Sequence, residues 1–354
     1  MKKVFFTIFL LLFIISAFKV SRPFIEKKHD NNLIYNNLMK IKMTSEDFTF
    51  VVLGDNKNSV STFEKIISKI NNDPTVKFVI NTGDMVFDGN PIKYDFFLKQ
   101  IKKFKVPLLV VPGNHDISDN GYENYINFFG PLYYSFSIKN SYFIILNNAN
   151  QTEVDPYQML WLEKNLNFSQ QYKYRFVFMH VPLFDPRFEQ QPGHSMKNLK
   201  NANKLLDLFK KYKVTMLFFG HIHGFFEGNW DGVPYLITGG AGAELVGTDP
   251  NHYFYHYIKV HVSSKGVSYK IIKMNSPDFN FIDRVGAFIW LYIYSFIVIN
   301  YWVLVLIITS FSLGFFILTS DSFLLFVKNS FKNFSKLTFV NLIISFFKKF
   351  KKTK

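Results

Sequence analysis

The chain of 354 residues contains no cysteine. Disulfides and thiolate metal sites are therefore excluded, and any bound metal must rest on histidine, aspartate, asparagine or glutamate. A chain without cysteine also suits export. There is no arginine-rich stripe and no aromatic-basic repeat, so no nucleic-acid-binding signature is read. Neither H-E-x-x-H nor G-x-S-x-G occurs, which leaves a zincin protease or an α/β-hydrolase without support. Gly239-Gly240, in DGVPYLITGGAGAEL, precedes no helix carrying G-x-x-x-x-G-K-[ST], so it is not a phosphate-binding loop. No internal repeat is visible. The length still allows one large domain, or two small ones, with a full hydrophobic core.

What is present is basic and, at both ends, apolar. The formal charge is +15, but eight lysines against one aspartate lie after residue 319 and three more lysines lie in the first twenty residues. A basic excess placed at the ends points to membrane topology before nucleic acid. Two lysines precede an uncharged stretch from Val4 to Phe18, with Ile15-Ser16-Ala17 as a tolerable cleavage site. Residues 1–20 are thus read as a signal peptide or an N-terminal anchor. From Val285 to Ser320 no charged residue occurs, and Trp290, Tyr292 and Tyr294 cluster at one end. This exceeds the roughly 20 residues that span a bilayer. A hairpin of two short spans would bury Asp321 and send the basic tail outside. One long, tilted transmembrane helix over 285–319 is expected instead, with residues 320–354 as a basic cytoplasmic tail and the domain outside the cytoplasm. Within that tail, Leu337–Phe347 is too short to span and reads as lying on the inner leaflet or as a loose tail.

Residues 21–45 are polar and read as a linker. Between 46 and 275 short apolar runs alternate with helical stretches, the pattern of an α/β domain. Strands are expected at 48–53, 77–81, 107–111, 141–146, 174–179 and 214–219. Helices are expected at Val60–Asn72, Lys93–Lys103, Pro156–Leu166 and Lys200–Tyr212. The segment 252–273 reads as a hairpin completing the second sheet, with His252, His256 and His261 as ordinary strand or surface histidines. Five of the strands hand a metal-capable side chain to the loop at their carboxyl end. They are followed by Gly54-Asp55, by Thr82-Gly83-Asp84, by Gly113-Asn114-His115-Asp116, by His180, and by Gly220-His221-Ile222-His223. In open α/β sheets that edge is where ligands bind. A Gly-Asp or a lone histidine is ordinary turn or hydrogen-bond chemistry by itself; five in this order, each after a strand, are specific.

This series resembles the calcineurin-like metallophosphoesterase superfamily, whose pattern is D-x-H, G-D, G-N-H-[D/E], a lone H, then G-H-x-H. The resemblance covers about Asp47 to Lys273. It implies a four-layer β-sandwich of two mixed sheets flanked by helices, with two divalent metal ions (Mn, Fe or Zn) at the strand ends. By the resemblance Asp84 would bridge both ions, Asp55 and His223 would serve the first, and Asn114, His180 and His221 the second. A metal-bridged hydroxide would attack the phosphorus of a phosphoester substrate. His115 would assist the leaving oxygen, with Asp116 fixing its orientation. Paired cations about 3.5–4 Å apart suit this chemistry because they neutralise the ester and hold the nucleophile in line.

The sequence departs from the pattern at Lys57, where the family places a histidine. A protonated lysine has no lone pair to give a metal. Phe87 also stands where the purple acid phosphatase branch has a metal-bound tyrosine. Three readings follow: Lys57 lies over the substrate phosphate, or Asn56 or Asn58 fills the vacancy through an amide oxygen, or the first site stays mostly empty. In each, the second ion binds more tightly than the first. Lys57, Asn58, Arg187 and His194 are taken as substrate-binding candidates, the last two on the polar insertion 186–198. The expected function is a membrane-anchored metallophosphoesterase. The rival is a surface binding protein of the same fold that has lost turnover through Lys57.

Overall fold

The computed structural model describes residues 2–25, 32–42, 45–187, 193–276, 281–321 and 325. The chain forms two units, Lys27–Ile299 and the pair of terminal segments Met1–Glu26 and Asn300–Lys354. In chain order the elements begin with helices α1 (Lys2–Ile25) and α2 (Leu33–Leu38), then β1 (Phe48–Leu53), α3 (Ser61–Asn71), β2 (Val76–Asn81), α4 (Pro91–Ile101) and β3 (Leu108–Val110). They continue with α5 (Asn114–Ile117), α6 (Gly121–Phe129), β4 (Tyr134–Ile138), β5 (Ser141–Ile145), α7 (Pro156–Phe168), β6 (Tyr174–Phe178), α8 (Leu199–Lys211) and β7 (Met216–Phe219). The last are β8 (Phe225–Trp230), β9 (Val233–Thr238), β10 (His256–Ser263), β11 (Gly266–Lys273), α9 (Phe281–Phe288), α10 (Ser295–Ile299) and α11 (Tyr301–Leu318), with a π-helical turn over Ile289–Tyr294 between α9 and α10.

Both sheets are mixed. The first has the order β11-β10-β1-β2-β3 and the second β4-β5-β6-β7-β9-β8. β1, β2 and β3 run parallel, as do β5, β6, β7 and β9, while β10, β4 and β8 pair antiparallel to their neighbours. Strand periodicity of two explains how one sheet serves two cores. Phe143, Phe176, Phe178 and Phe218 face the first sheet and pack with Phe50 and Phe78. Their neighbours Ile144, Val177, Leu217 and Phe219 face the other way, onto α7 and α8. The Phe178 and Phe218 rings stack at 4.8 Å and Phe50 meets Phe143 edge-on at 5.5 Å, so the inter-sheet layer is largely aromatic. α3 and α4 cover the outer face of the first sheet through Phe63, Ile66, Ile67, Ile70, Tyr94 and Phe97. The result is the two mixed sheets with flanking helices that the resemblance implies.

Three expectations are corrected. The hairpin β10–β11 completes the first sheet, where β10 pairs with β1 from Phe48↔Val262 to Val52↔Ile258, and not the second. Its alternating pattern fits any open edge, and β1 offers one. Residues 21–45 are not all linker: α1 runs to Ile25, and α2 buries Ile34 in the core and sends the Asn37 side-chain amide to the Leu108 carbonyl at 2.8 Å. The tract 285–319 is not one continuous helix. It widens into the π turn and breaks at Asn300, whose φ of −96° and ψ of 16° leave the helical region. Asparagine's side chain competes for backbone groups and favours such ends.

Among the described residues, the terminal unit contains two helices long and apolar enough to cross a membrane, Val4–Ile25 and Tyr301–Leu318. Phe6 and Phe9 pack on Phe316, so the start of α1 lies beside the end of α11. Leu337–Phe347 and nearly all of the basic tail lie outside the described residues.

Candidate metal centre

The side chains singled out in the sequence converge at the carboxyl edge of the two sheets, and their backbone is shaped for it. Asp55, Asp84 and His221 all have positive φ, of 60°, 53° and 69°. Residues other than glycine rarely adopt that region, and they cluster there at functional sites. Gly83, at φ +104°, lets the β2 loop pass under the histidine after β6, because a Cβ there would meet His180 Nδ1 at 2.7 Å. The buried Asp116 carboxylate accepts four backbone N–H groups: Asp84 at 2.9 Å, Met85 at 2.8 Å, Val86 at 3.2 Å and Gly113 at 2.8 Å. It thereby ties the β2 and β3 loops together. Asn148, which carries no motif, does the same for the β6 loop by accepting from the N–H groups of His180 and Val181.

Each histidine is oriented by a backbone carbonyl on one ring nitrogen, which leaves the other for a ligand. Thr82 O accepts from His180 Nδ1 at 2.8 Å, Gly193 O from His221 Nε2 at 2.7 Å and Glu244 O from His223 Nδ1 at 2.7 Å. His180 Nε2 is then 3.3 Å from Asp84 Oδ1, 3.1 Å from Asn114 Oδ1 and 3.2 Å from His221 Nδ1. His223 Nε2 is 3.5 Å from Asp55 Oδ1. Two donor groups result, Asp84–His180–His221 and Asp55–Asp84–His223, each with its ligand atoms within 4.8 Å of one another and with Asp84 common to both.

The electrostatics call for a cation. Burial pushes the Asp55 carboxyl up to about 8, and neighbouring Asp84 adds to that, because two carboxylates cannot share a dry site without compensation. Burial acts against the charged form of Asp84 too, but the charge and hydrogen bond of His180 hold that carboxyl well below the usual range. His180 is correspondingly lifted to about 9, against its burial, by Asp84 and Asp55. His221 and His223 are lowered by burial to about 3 and about 4, so they stay neutral with a lone pair available. The donor set, all imidazole and oxygen, fits a hard or borderline divalent ion.

The remaining predicted residues divide. His115 stands at the rim with Nε2 3.8 Å from Asp84 Oδ2, and the Phe87 carbonyl accepts from its Nδ1 at 2.7 Å. Asp116 does not orient His115; its oxygens are taken up by the backbone groups given above. Asn58 is not presented to a substrate: it is buried, donates to Lys93 O at 3.0 Å and accepts from Phe87 N at 3.1 Å. Asn56 cannot fill the vacancy left by the missing histidine, since its amide oxygen accepts from Asn81 Nδ2 at 2.8 Å and its amide nitrogen donates to Met85 O at 2.9 Å. Arg187 is held by two bonds to Asp185, at 2.9 and 2.6 Å. The His194 ring lies 5.9 Å from that of His221. Lys57 is buried, and its ammonium lies 3.6 Å from Glu244 Oε1. Glu244 is the residue the sequence did not flag: it sits in a Gly-Ala run that belongs to no motif.

Comparison with known proteins agrees with this geometry. The calcineurin-like phosphoesterase family profile matches residues 48–225. A serine/threonine-protein phosphatase (CPPED1) of Danio rerio is 26% identical over 195 residues, 49% of this chain and 62% of the relative, so the chain spans less than two thirds of that protein's length. A probable glycerophosphodiester phosphodiesterase (GpdQ) of Arcobacter nitrofigilis is 30% identical over 195 residues, 52% of this chain and 70% of the relative. The structure of a purple acid phosphatase from yellow lupin (Lupinus luteus) seeds superposes with a TM-score of 0.52 at 18% identity, covering 68% of this chain and 55% of the other, which is a likeness of fold. With the profile over half its length and the donor residues gathered at the strand ends, the chain belongs to the calcineurin-like phosphoesterase family.

Proposed function

We propose that the chain is a metal-dependent phosphoester hydrolase, held at a membrane with its domain outside the cytoplasm. One observation carries the reading: two donor groups that share Asp84 come together from loops far apart in sequence. Asp84, Asn114, His180 and His221 would hold one divalent ion, Mn, Fe or Zn. Asp55, Asp84 and His223 form the first group of the family's dinuclear arrangement, and there Lys57 takes the place of the histidine. Bound divalent ions neutralise the ester's charge and supply a nucleophile from water at neutral pH. The chain's own residues do the rest. The carbonyls of Thr82, Gly193 and Glu244 keep the imidazoles aimed inward. His115, more than a third exposed and anchored through Nδ1, offers Nε2 to the leaving oxygen as a proton donor. Relatives are named as phosphoprotein phosphatases, glycerophosphodiester phosphodiesterases and cyclic nucleotide phosphodiesterases, so mono- and diesters are both within the proposal.

Membrane attachment is supported by the two long apolar helices and by the lysines at both chain ends. The packing of Phe6 and Phe9 on Phe316 favours a retained N-terminal anchor over a removed leader. The test of catalysis is hydrolysis of p-nitrophenyl phosphate and its bis ester by the full chain in detergent, with Mn²⁺, after chelation, and after Mn²⁺ is restored. Turnover that chelation abolishes and metal restores is the expected result. No metal-dependent release on either ester would leave a surface binding protein of the same fold.

A further inference from the structure

We propose that the ammonium of Lys57 is the resident cation of the first donor group, so that the centre takes one divalent ion, at Asp84, Asn114, His180 and His221, and completes its charge with a lysine. This narrows the hydrolase reading above and rests on it.

Lys57 is fixed where a first-site ligand belongs. It follows Asp55 by two residues, has positive φ of 37°, and its backbone N–H donates to the Asp84 carbonyl at 2.9 Å. Its side chain is 7% exposed, a depth at which lysine is found only when paired. Its ion pair is with Glu244, one residue beyond the first donor group of Asp55, Asp84 and His223.

That additional residue is placed as its counter-ion. Glu244 Oε1 is 3.6 Å from Lys57 Nζ and 3.8 Å from His223 Nδ1. Its loop is fastened to the Asp55 loop by the N–H groups of Ala241 and Ala243, which donate to Gly54 O at 3.0 Å and Asp55 O at 2.8 Å. From outside, Tyr292 on the π turn packs its ring 6.0 Å from that of Phe87. The lysine is thus held in a built socket.

A divalent ion at the first group would have to share it with this ammonium. The lysine has no lone pair to offer, and its charge opposes the ion in a site too dry to screen it. Neither neighbouring amide takes up the vacancy, since Asn56 and Asn58 are both engaged, and the nearby Glu244 is occupied as the lysine's counter-ion. The other group contains no lysine: its donors are the ring nitrogens of His180 and His221 with Asp84 and Asn114.

The experiment is a metal count on the full chain in detergent, stripped with chelator and dialysed to saturation against Mn²⁺, with electron paramagnetic resonance of the same samples. The wild type should hold about one Mn²⁺ per chain with an uncoupled signal. Lys57→His should hold about two, with the signature of an exchange-coupled pair. Lys57→Met, which keeps the volume and drops the charge, guards against a histidine variant that misfolds, and should also admit a second ion. The ion retained at the second group reports that a variant is folded. About two ions in the wild type overturns the lysine assignment alone, as does a count of one in the wild type and in both variants. No bound metal in any sample overturns it together with the hydrolase reading.

Discussion

His115 is the side chain whose removal should separate chemistry from binding. It lies beside the donor groups and belongs to neither of them, so His115→Ala is expected to lower kcat about 10²–10⁴-fold while leaving the metal content unchanged. Steady-state kinetics with a parallel metal analysis checks this, and a loss of metal along with activity would contradict it. A second residue has consequences for stability. His256 is fully buried, donates from Nδ1 to Phe254 O at 2.9 Å and contacts Thr238 Oγ1 through Nε2 at 3.1 Å. Burial lowers it from 6.5 to about 4. The unfolded chain therefore binds a proton that the folded one refuses between those values, and stability falls as pH drops through that window. The contribution lost from about pH 7 to about pH 4 is on the order of 3 kcal/mol. Chemical denaturation across this range should show a flatter pH dependence in His256→Gln than in the wild type. Equal slopes would remove His256 from the account.

Among the elements, the loops after β2 and β3 depend on Asp116 more than on any ligand. Asp116→Ala would leave four buried N–H groups without a partner, each worth about 1–3 kcal/mol. Partial rescue by water still leaves a loss of several kcal/mol, which thermal unfolding should report as a fall in Tm of about 10 °C. An unchanged Tm would show that the loops hold without it. This residue also shows where sequence reading stops. The strand-then-polar pattern exposed Asp55, Asp84, Asn114, His180, His221 and His223, because a buried strand that ends on a carboxylate or imidazole has few other uses. The neighbour relation of His115 and Asp116 suggested a direct contact. On a helix, however, adjacent side chains do not face each other, and α5 turns one to the rim and the other into the core. Asn56 and Asn58 looked available for the same reason, that a sequence shows side chains and not the carbonyls of Met85 and Lys93 that occupy them. Glu244 was illegible because only the third dimension brings it to Lys57. The hairpin β10–β11 was readable as a hairpin but not by destination, since β-alternation gives a strand its faces and not its partner.

At the scale of the whole molecule, the basic ends and the two apolar helices support one topological proposal, a domain outside the cytoplasm. The absence of cysteine gives it a clean test. Ser264→Cys, exposed on the hairpin, should react with a membrane-impermeant maleimide on intact cells, whereas Ser335→Cys in the basic tail should react only after lysis. The reverse pattern would place the domain inside. The catalytic claim is independent of that topology and rests on the one carboxylate common to both donor groups. Its most direct measurement is Mn²⁺-dependent phosphoester hydrolysis by the full chain set against Asp84→Asn at equal protein concentration. The account predicts saturable, chelator-sensitive turnover in the wild type and its loss in the variant. Equal release by the two proteins, or turnover indifferent to chelator, would contradict it.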